Sequence, residues 1–506
     1  MTDAGEQDAL VLDVGTSAVK AAVLTPDGTV RAQAAAEIAT RTAEGGVMEQ
    51  DASAWWEATR SAVAGLSGAV DLGGVGRVAL TGQMQDLTLA DADGRPLRPT
   101  ILYGDTRAVR EAAEVNAAVG AARLRDLSGN EPDAGGLLAK LAWLRRHEPG
   151  TWANTERIFL GASDAVAFRL TGRAACDTTT ASTTSLMALE ARAPLPNEVF
   201  EALGMAGVPA RLPRLVAGGT AVGPLTPAAA DALGVPAGIA VHVGPGDAGA
   251  TTVGAGSGEP GPASGYVGTS GWVAFSAAAR GDPDAGVFTL AHPAPGRTIQ
   301  VAPLLTAGGN LAWARAALGA GADYEALIDE ALDRPPGRTL YLPYLQGERA
   351  PFRDPDARGA FIGLELGTTH LDMVRAVLEG VAFAYRHALR ALRPGSDEAL
   401  EGLVLSGGGT RSAAWCQLFA TVLGAPVRVM DEPGAVGVRG ALRCAQVAAG
   451  DAPDYRVRLR VRTFEPDPAA RAHYDALFEQ FLQAYVGLRP TFQGLAQVPT
   501  ASGGTP

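Results

Sequence analysis

Two copies of one short pattern constrain this chain more than any other feature: a strand-forming run, broken by Gly-Thr-Ser, resumes as a second strand. The first copy is Asp13-Val14-Gly15-Thr16-Ser17-Ala18-Val19-Lys20 and the second is Tyr266-Val267-Gly268-Thr269-Ser270-Gly271-Trp272, about 250 residues later. A single such turn reads as an ordinary hairpin connection. Its recurrence once per half is what duplication of one fold leaves behind. Length agrees, since 506 residues exceed what one core sustains and suit two domains of about 250 residues each.

Around the first copy, residues 9–24 read as two strands, and Pro26-Asp27-Gly28 turns the chain into a third. A helix is expected over 53–66, with Ser53 as cap and Trp55, Trp56, Thr59 and Val63 at helical spacing. Strands are expected near 75–80, 88–90 and 237–245, with alanine-rich helices dominating 106–170. The stretch GAGSGEPGPASG at 254–265 reads as an interdomain hinge or, equally, as a static surface loop. These features divide the chain into domains at 8–256 and 257–490. Residues 491–506 lack apolar periodicity and read as a mobile tail.

Composition narrows the function classes. A net charge of −12 opposes binding to a nucleic-acid backbone, which needs a basic surface to release counterions. Three dispersed cysteines, Cys176, Cys416 and Cys444, form no C-x-x-C pair and have no histidine at ligand spacing; a reducing cytoplasm and no structural zinc are expected. The first ten residues carry acids where a signal peptide needs positive charge. No uncharged apolar run reaches the roughly 20 residues of a membrane span.

A chain with 64 glycines invites a search for phosphate-cradling loops. Its two lysines, Lys20 and Lys140, do not follow a glycine, so no P-loop exists. Two G-x-G-x-x-G matches, starting at Gly244 and Gly256, lack the helix or the downstream acid of a dinucleotide fold. What remains is the pair of hairpin turns, whose glycine N–H groups and Ser/Thr hydroxyls could grip terminal phosphates from opposite sides. Asp13, at a strand end before the first turn, suits either a water-coordinated Mg²⁺ or a simple turn cap. A third cluster, Gly407-Gly408-Gly409-Thr410-Arg411-Ser412, follows the apolar run GLVL and leaves backbone open to a flat ring or a phosphate.

The order of many short motifs makes the resemblance specific. LDVGTSAVK at 12–20, EQDASAWW at 49–56, TGQM at 81–84, GPGDAGATTVG at 244–254, GYVGTSG at 265–271, YLQGERAPFRDPDARGAFIGL at 344–364 and LSGGGTRSAAW at 405–415 resemble the FGGY carbohydrate kinases, and among them most the xylulokinases. That resemblance implies an α/β fold of two ribonuclease-H-like, actin-like ATPase domains with a cleft between them. It also implies transfer of the γ-phosphate of ATP to a hydroxyl of a ketose, with D-xylulose the leading candidate, and, weakly, a homodimer. On the nucleotide side it implies Gly15, Thr16, Ser17, Lys20, Gly268, Thr269, Ser270, Gly308, Gly408, Gly409 and Ser412, with Mg²⁺ near Asp13.

A sugar hydroxyl needs a carboxylate to take its proton during phosphoryl transfer. The resemblance assigns this to Asp247 in Gly244-Pro245-Gly246-Asp247-Ala248-Gly249; an N-cap is the plain alternative. It assigns sugar contacts to the segment Gln83-Met84-Gln85 and to Asp105 with Arg107, the last two of which have an internal ion pair as their plain alternative. The chain departs from the xylulokinase pattern there: Gln85 stands for a histidine, Tyr103-Gly104 for Trp-Asn, and Ala248 for an asparagine. Another ketose, an alditol or a modified sugar therefore stays open as substrate, as do an actin-like ATPase working by shape change and a catalytically silent sugar sensor.

Overall fold

The computed structural model describes residues 7–319, 323–393, 400–458 and 460–498. The chain opens on an antiparallel meander, β1 (Asp8–Val14), β2 (Ala18–Leu24) and β3 (Val30–Glu37). Helix α1 (Ala52–Ala64) then leads to β4 (Val75–Gly82), which returns parallel to β1. Every residue of β4 is buried, as expected of a central strand covered on both faces. β5 (Met84–Ala90) bends away into a second, five-stranded sheet, and its Gln85 takes a left-handed φ of 62°. Helices α2 (Leu137–His147), α3 (Ala162–Thr171) and α4 (Thr178–Ser182) follow. β6 (Thr220–Pro224) and β7 (Ala240–Val243) complete the main sheet in the order β6-β7-β4-β1-β2-β3, and α5 (Gly246–Thr252) leaves the end of β7.

The second lobe repeats the plan. β8 (Ala263–Val267) and β9 (Gly271–Ala277) form a hairpin; β10 (Phe288–Ala291) and β11 (Thr298–Leu304) extend it on one side. After α6 (Gly308–Ala317) and the long α7 (His370–Leu392), β12 (Leu403–Ser406) returns parallel to β8. Helix α8 (Ala413–Leu423), β13 (Val427–Met430), α9 (Val436–Ala449), β14 (Val461–Phe464) and α10 (Arg471–Ala496) complete it. The sheet order is β10-β11-β9-β8-β12-β13-β14. In both lobes the first strand lies between its antiparallel hairpin partner and a parallel strand, with a further parallel strand beyond. The duplicated Gly-Thr-Ser turns thus sit at equivalent places in two domains of one topology.

Each lobe has its own core. Leu10, Leu12, Val78, Leu80 and Trp55 anchor the first; Phe383, Phe419, Phe478 and Phe481, from α7, α8 and α10, anchor the second. The lobes meet where α9 lays Val438, Ala441, Leu442 and Ala445 on Ala9, Val11, Ala22 and Ala79 of the first sheet. Glycine permits this close crossing: a Cβ on Gly440 would lie 1.8 Å from the Ala250 carbonyl oxygen, and one on Gly254 would lie 1.8 Å from that of Val436.

Three local expectations are corrected. Asp51, not Ser53, caps α1, its Oδ1 accepting the Ser53 N–H at 2.9 Å; both types cap well, and the chain enters the helix two residues earlier. The stretch 254–265 is a loop only in part: Gly254, Ala255 and Ser257 are buried in a π-helical turn, residues 258–262 form a bend with Pro260 exposed, and β8 begins at Ala263. α10 continues to Ala496 and buries Phe492, so 491–496 are helix and not tail; 499–506 lie outside the described residues. Among the described residues no helix is long and apolar enough to cross a membrane. The three cysteines are unpaired and buried.

Candidate active site

The chemistry gathers where the two sheets face each other. β1 ends on Asp13, and the hairpin register sets Lys20 directly opposite, with Nζ 3.7 Å from Oδ2. β7 ends at the same edge, and the turn Gly244-Pro245-Gly246 starts α5 with Asp247 in its first turn. Asp13, Lys20 and Asp247 line one cavity of about 760 Å³, whose opposite wall carries Tyr266, Trp272, Gly408 and Arg411 of the second lobe. A neighbouring cavity of about 600 Å³ shares Tyr266, Gly408 and Arg411 with it and is lined by Gly268, Thr269, Gly308, Gly309, Gly409 and Ser412.

Electrostatics single out Asp247. Its side chain is reachable from the cavity, yet the surrounding protein withholds solvation and the Asp13 carboxylate repels a second charge, pushing its pKa up to about 7. Burial also raises Asp13, with Lys20 opposing the rise. Among the described residues the one side-chain hydrogen bond of Asp247 runs locally, its Oδ1 accepting the Ala248 N–H at 2.7 Å. Asp247 is thus the helix-starting acid that capping would call for and also a carboxylate poised to hold a proton near neutrality.

The second cavity is built by close backbone approach. The N–H groups of Gly308 and Gly309, at the start of α6, donate to the carbonyls of Gly268 and Thr269 at 2.7 and 3.0 Å. A Cβ on Gly308 would lie 2.6 Å from the Gly268 oxygen, and one on Gly268 would strike the Tyr266 ring at 2.5 Å. Gly407 takes a φ of 95°, and a Cβ on it would lie 2.5 Å from the Val267 carbonyl oxygen. These are walls of bare backbone that leave room for a flat ring, while the N–H groups at the start of α6 are spent on the turn.

A model of the FGGY family of carbohydrate kinases matches this chain twice, as the N-terminal domain over residues 9–254 and the C-terminal domain over 266–449. The chain belongs to the FGGY family of carbohydrate kinases. It is 32% identical to a xylulose kinase of Klebsiella pneumoniae over 486 residues, covering 95% of this chain and 99% of that relative. It is 31% identical to the xylulose kinase of Escherichia coli, with the same coverage. Among solved structures, the xylulose kinase from Rhodospirillum rubrum superposes with a TM-score of 0.87 at 29% identity, covering 96% of this chain and all of that one.

In this FGGY kinase the remaining expected residues fall outside both cavities. Gly15, Thr16 and Ser17 line neither: the Thr16 hydroxyl donates to Gln83 Oε1 at 2.9 Å, and its carbonyl accepts from Gln50 Nε2 at 2.6 Å. Ser270 likewise lines neither, its carbonyl accepting the Gly268 N–H. Met84 joins Ala248 and the second-lobe residues Trp272, Phe288 and Leu290 in an apolar cluster across the cleft. Gln85 donates to the Gly135 carbonyl at 2.9 Å.

Asp105 and Arg107 do not reach the cavities. Asp105 is fully buried, its oxygens taken by Arg107 and the Met48 N–H, and Arg107 continues to Glu49 at 2.7 Å. Burial alone would raise the Asp105 pKa; the guanidinium and the N–H outweigh it and hold the carboxyl below its ordinary value. The pair is the internal ion pair, because a carboxylate with a bidentate arginine two residues away is satisfied before any sugar arrives.

Gln83, expected as a sugar contact, lines neither cavity and braces the first turn instead, and sequence reading missed the partners it does so with. Gln83, Gln50 and Trp55 form a buried chain, Gln83 Nε2 and Trp55 Nε1 both donating to Gln50 Oε1 at 2.8 Å. The motif EQDASAWW carried that signal. It also missed Asp86, fully buried beside Gln85 with one oxygen unpartnered and its pKa pushed well up by burial despite the attraction of Lys140. Lys140 is itself lowered to about 8 by burial and donates to the Leu102 carbonyl at 2.7 Å. Nothing in the spacing of residues 86 and 140 announced that pair.

Proposed function

We propose that this carbohydrate kinase phosphorylates D-xylulose from ATP, giving D-xylulose 5-phosphate, with Asp247 as the general base. The observation that carries the reading is the placement of Asp247, raised toward neutrality, in a cleft cavity that shares a wall with a glycine-lined cavity. The names of the full-length relatives supply the sugar.

The glycine backbones of 268, 308, 408 and 409 line the second cavity, and a Cβ on Gly408 would meet only open space, which leaves room for a nucleotide. Among the described residues no three acidic, histidine or cysteine side chains converge on a metal, and Asp13 with phosphate oxygens is the donor set Mg²⁺ ordinarily takes. When bound, Mg²⁺ would neutralise charge on the transferring phosphate. Lys20 holds Asp13 from across the hairpin, Thr269 offers a hydroxyl to the nucleotide cavity, and Asp247 accepts the sugar's hydroxyl proton. Closing the two lobes over this cavity excludes the water that would otherwise take the phosphate.

One observation favours a second acceptor. Ala248 offers no hydrogen bond and lies in an apolar cluster, which suits a ketose or polyol with one hydroxyl fewer on that side. Purified protein with Mg-ATP, assayed against ketoses, aldoses and alditols with the product identified by mass spectrometry, decides between them. D-Xylulose is expected to give the highest kcat/KM; a larger value for another acceptor moves the assignment to that sugar, and ADP release indifferent to every sugar overturns the kinase reading of this chain.

A further inference from the structure

One contact between the lobes lies outside both cavities. β10 is the edge of the second sheet, paired with β11 on one side only. Its other side faces the first lobe, where side chains take the place of a neighbouring strand. Asn130 accepts the Thr289 N–H with Oδ1 and donates to the Thr289 carbonyl with Nδ2, both at 2.8 Å. Two residues on, Ser182 Oγ accepts the Ala291 N–H at 3.0 Å, and Thr179 Oγ1 donates to the Ala291 carbonyl at 2.7 Å. Ser182 also donates to the Thr179 carbonyl at 2.6 Å, which ties the two hydroxyl residues together. Asn130, Thr179, Ser182, Thr289 and Ala291 are all buried, so these four bonds stand where water cannot replace them.

The helix that supplies two of these groups also touches the catalytic turn. α4 is capped by Asp177, whose Oδ1 accepts the Thr180 N–H at 2.8 Å. Its Thr180 hydroxyl would lie 2.8 Å from a Cβ on Gly246, and its Thr179 methyl 2.9 Å from one on Gly249. Gly246, at a φ of 53°, immediately precedes Asp247. A continuous path therefore runs from Asp247 through α4 to β10, across β11 and β9, and into the Gly268-Thr269-Ser270 turn.

We infer that Asn130, Thr179 and Ser182 are positioning residues. They clamp β10 so that the general base and the phosphate-facing turn keep one separation, and cleft closure turns about this line instead of pulling the lobes apart along it. Phosphate then reaches the sugar alcohol only when Asp247 is in register to take its proton. The inference rests on Asp247 as base, which substitution of that residue tests separately.

The experiment compares Thr179→Val, Thr179→Ser and Asn130→Ala with the native protein, measuring ADP and phosphorylated sugar in the same reaction and ATP affinity by calorimetry. Valine keeps the shape and removes the hydroxyl; serine keeps the hydroxyl. Thr179→Val and Asn130→Ala are expected to lose roughly tenfold to a hundredfold in kcat, the scale of a misplacement by about 1 Å. Sugar phosphate formed per ADP should drop below one, while ATP affinity stays within about twofold. Thr179→Ser should restore both kcat and the ratio. Native-like kcat and a ratio of one in Thr179→Val and Asn130→Ala overturn the proposal. So does a loss of kcat that tracks a fall in melting temperature while the ratio stays at one, the signature of a purely structural bond.

Discussion

The two Gly-Thr-Ser turns have the same three residues and equivalent places in two domains of one topology, yet they are held differently. The turn at 15–17 has one backbone brace from outside its hairpin, the Ile38 N–H on the Ser17 carbonyl, and its threonine is held by side chains: Gln83 takes the hydroxyl, Gln50 the carbonyl, and Trp55 secures Gln50 from behind. The turn at 268–270 is braced by backbone, the N–H groups of Ala307, Gly308 and Gly309 docking on its carbonyls, and its Thr269 lines a cavity. A turn held by backbone leaves its side chain free for a ligand. One held by side chains becomes a fixed wall behind Asp13. Duplication supplied two equal turns, and the packing around them separated their roles.

That contrast can be broken in order of expected effect. Asp247→Ala, which removes the base on the first lobe's side, should lower kcat by roughly 10²–10⁴ with the fold intact by circular dichroism; turnover near the native value would mean the first lobe contributes no proton acceptor. Gly308→Val places a side chain where the Gly268 carbonyl lies 2.6 Å away, and ATP affinity should fall by about tenfold or more. The matching change on the other side, Gly15→Val, meets only the Ala18 carbonyl at 3.2 Å, so it should affect nucleotide binding less. Equal losses in the two calorimetric titrations would erase the distinction between the turns.

Smaller effects sharpen it. Because Asp247 must be ionised to accept a proton and its pKa stands at about 7, kcat/KM should rise with pH through that value and fall about tenfold per unit below it; a flat profile from pH 5 to 8 would contradict the assignment. Asp247→Asn should abolish the limb. Thr16→Val should cost about 1 kcal/mol of stability by denaturant titration, since it leaves Gln83 Oε1 without a donor, and should leave ATP affinity unchanged. Thr269→Val should do the reverse, weakening ATP binding with little change in stability.

The hairpin turns were legible because strand, turn and strand are local: glycine permits the close approach, and aliphatic alternation marks the strands on either side. Asp247 was legible through its motif, but not its raised pKa, which comes first from burial in the folded cleft and then from the charge of Asp13 on a strand more than two hundred residues earlier. Asp105 and Arg107 show the opposite failure. Their spacing is right for a sugar clamp, and only the surrounding Met48 and Glu49 reveal that the pair is closed on itself. The stretch at 254–265 reads as loose because glycine and proline break regular structure; its start is packed because α9 needs glycine on both sides of its crossing.

The sequence by itself determined the duplicated α/β plan, the absence of a P-loop, the family and the acid at the end of β7. Those features depend on residue order over short stretches, where backbone preference and side-chain period act without outside help. Tertiary structure alone decided which threonine faces a ligand, which carboxylates are spent on arginine, and which side chains bind the edge of β10. Those outcomes depend on what a polar group meets when water is removed, and its partners come from segments far apart in the chain.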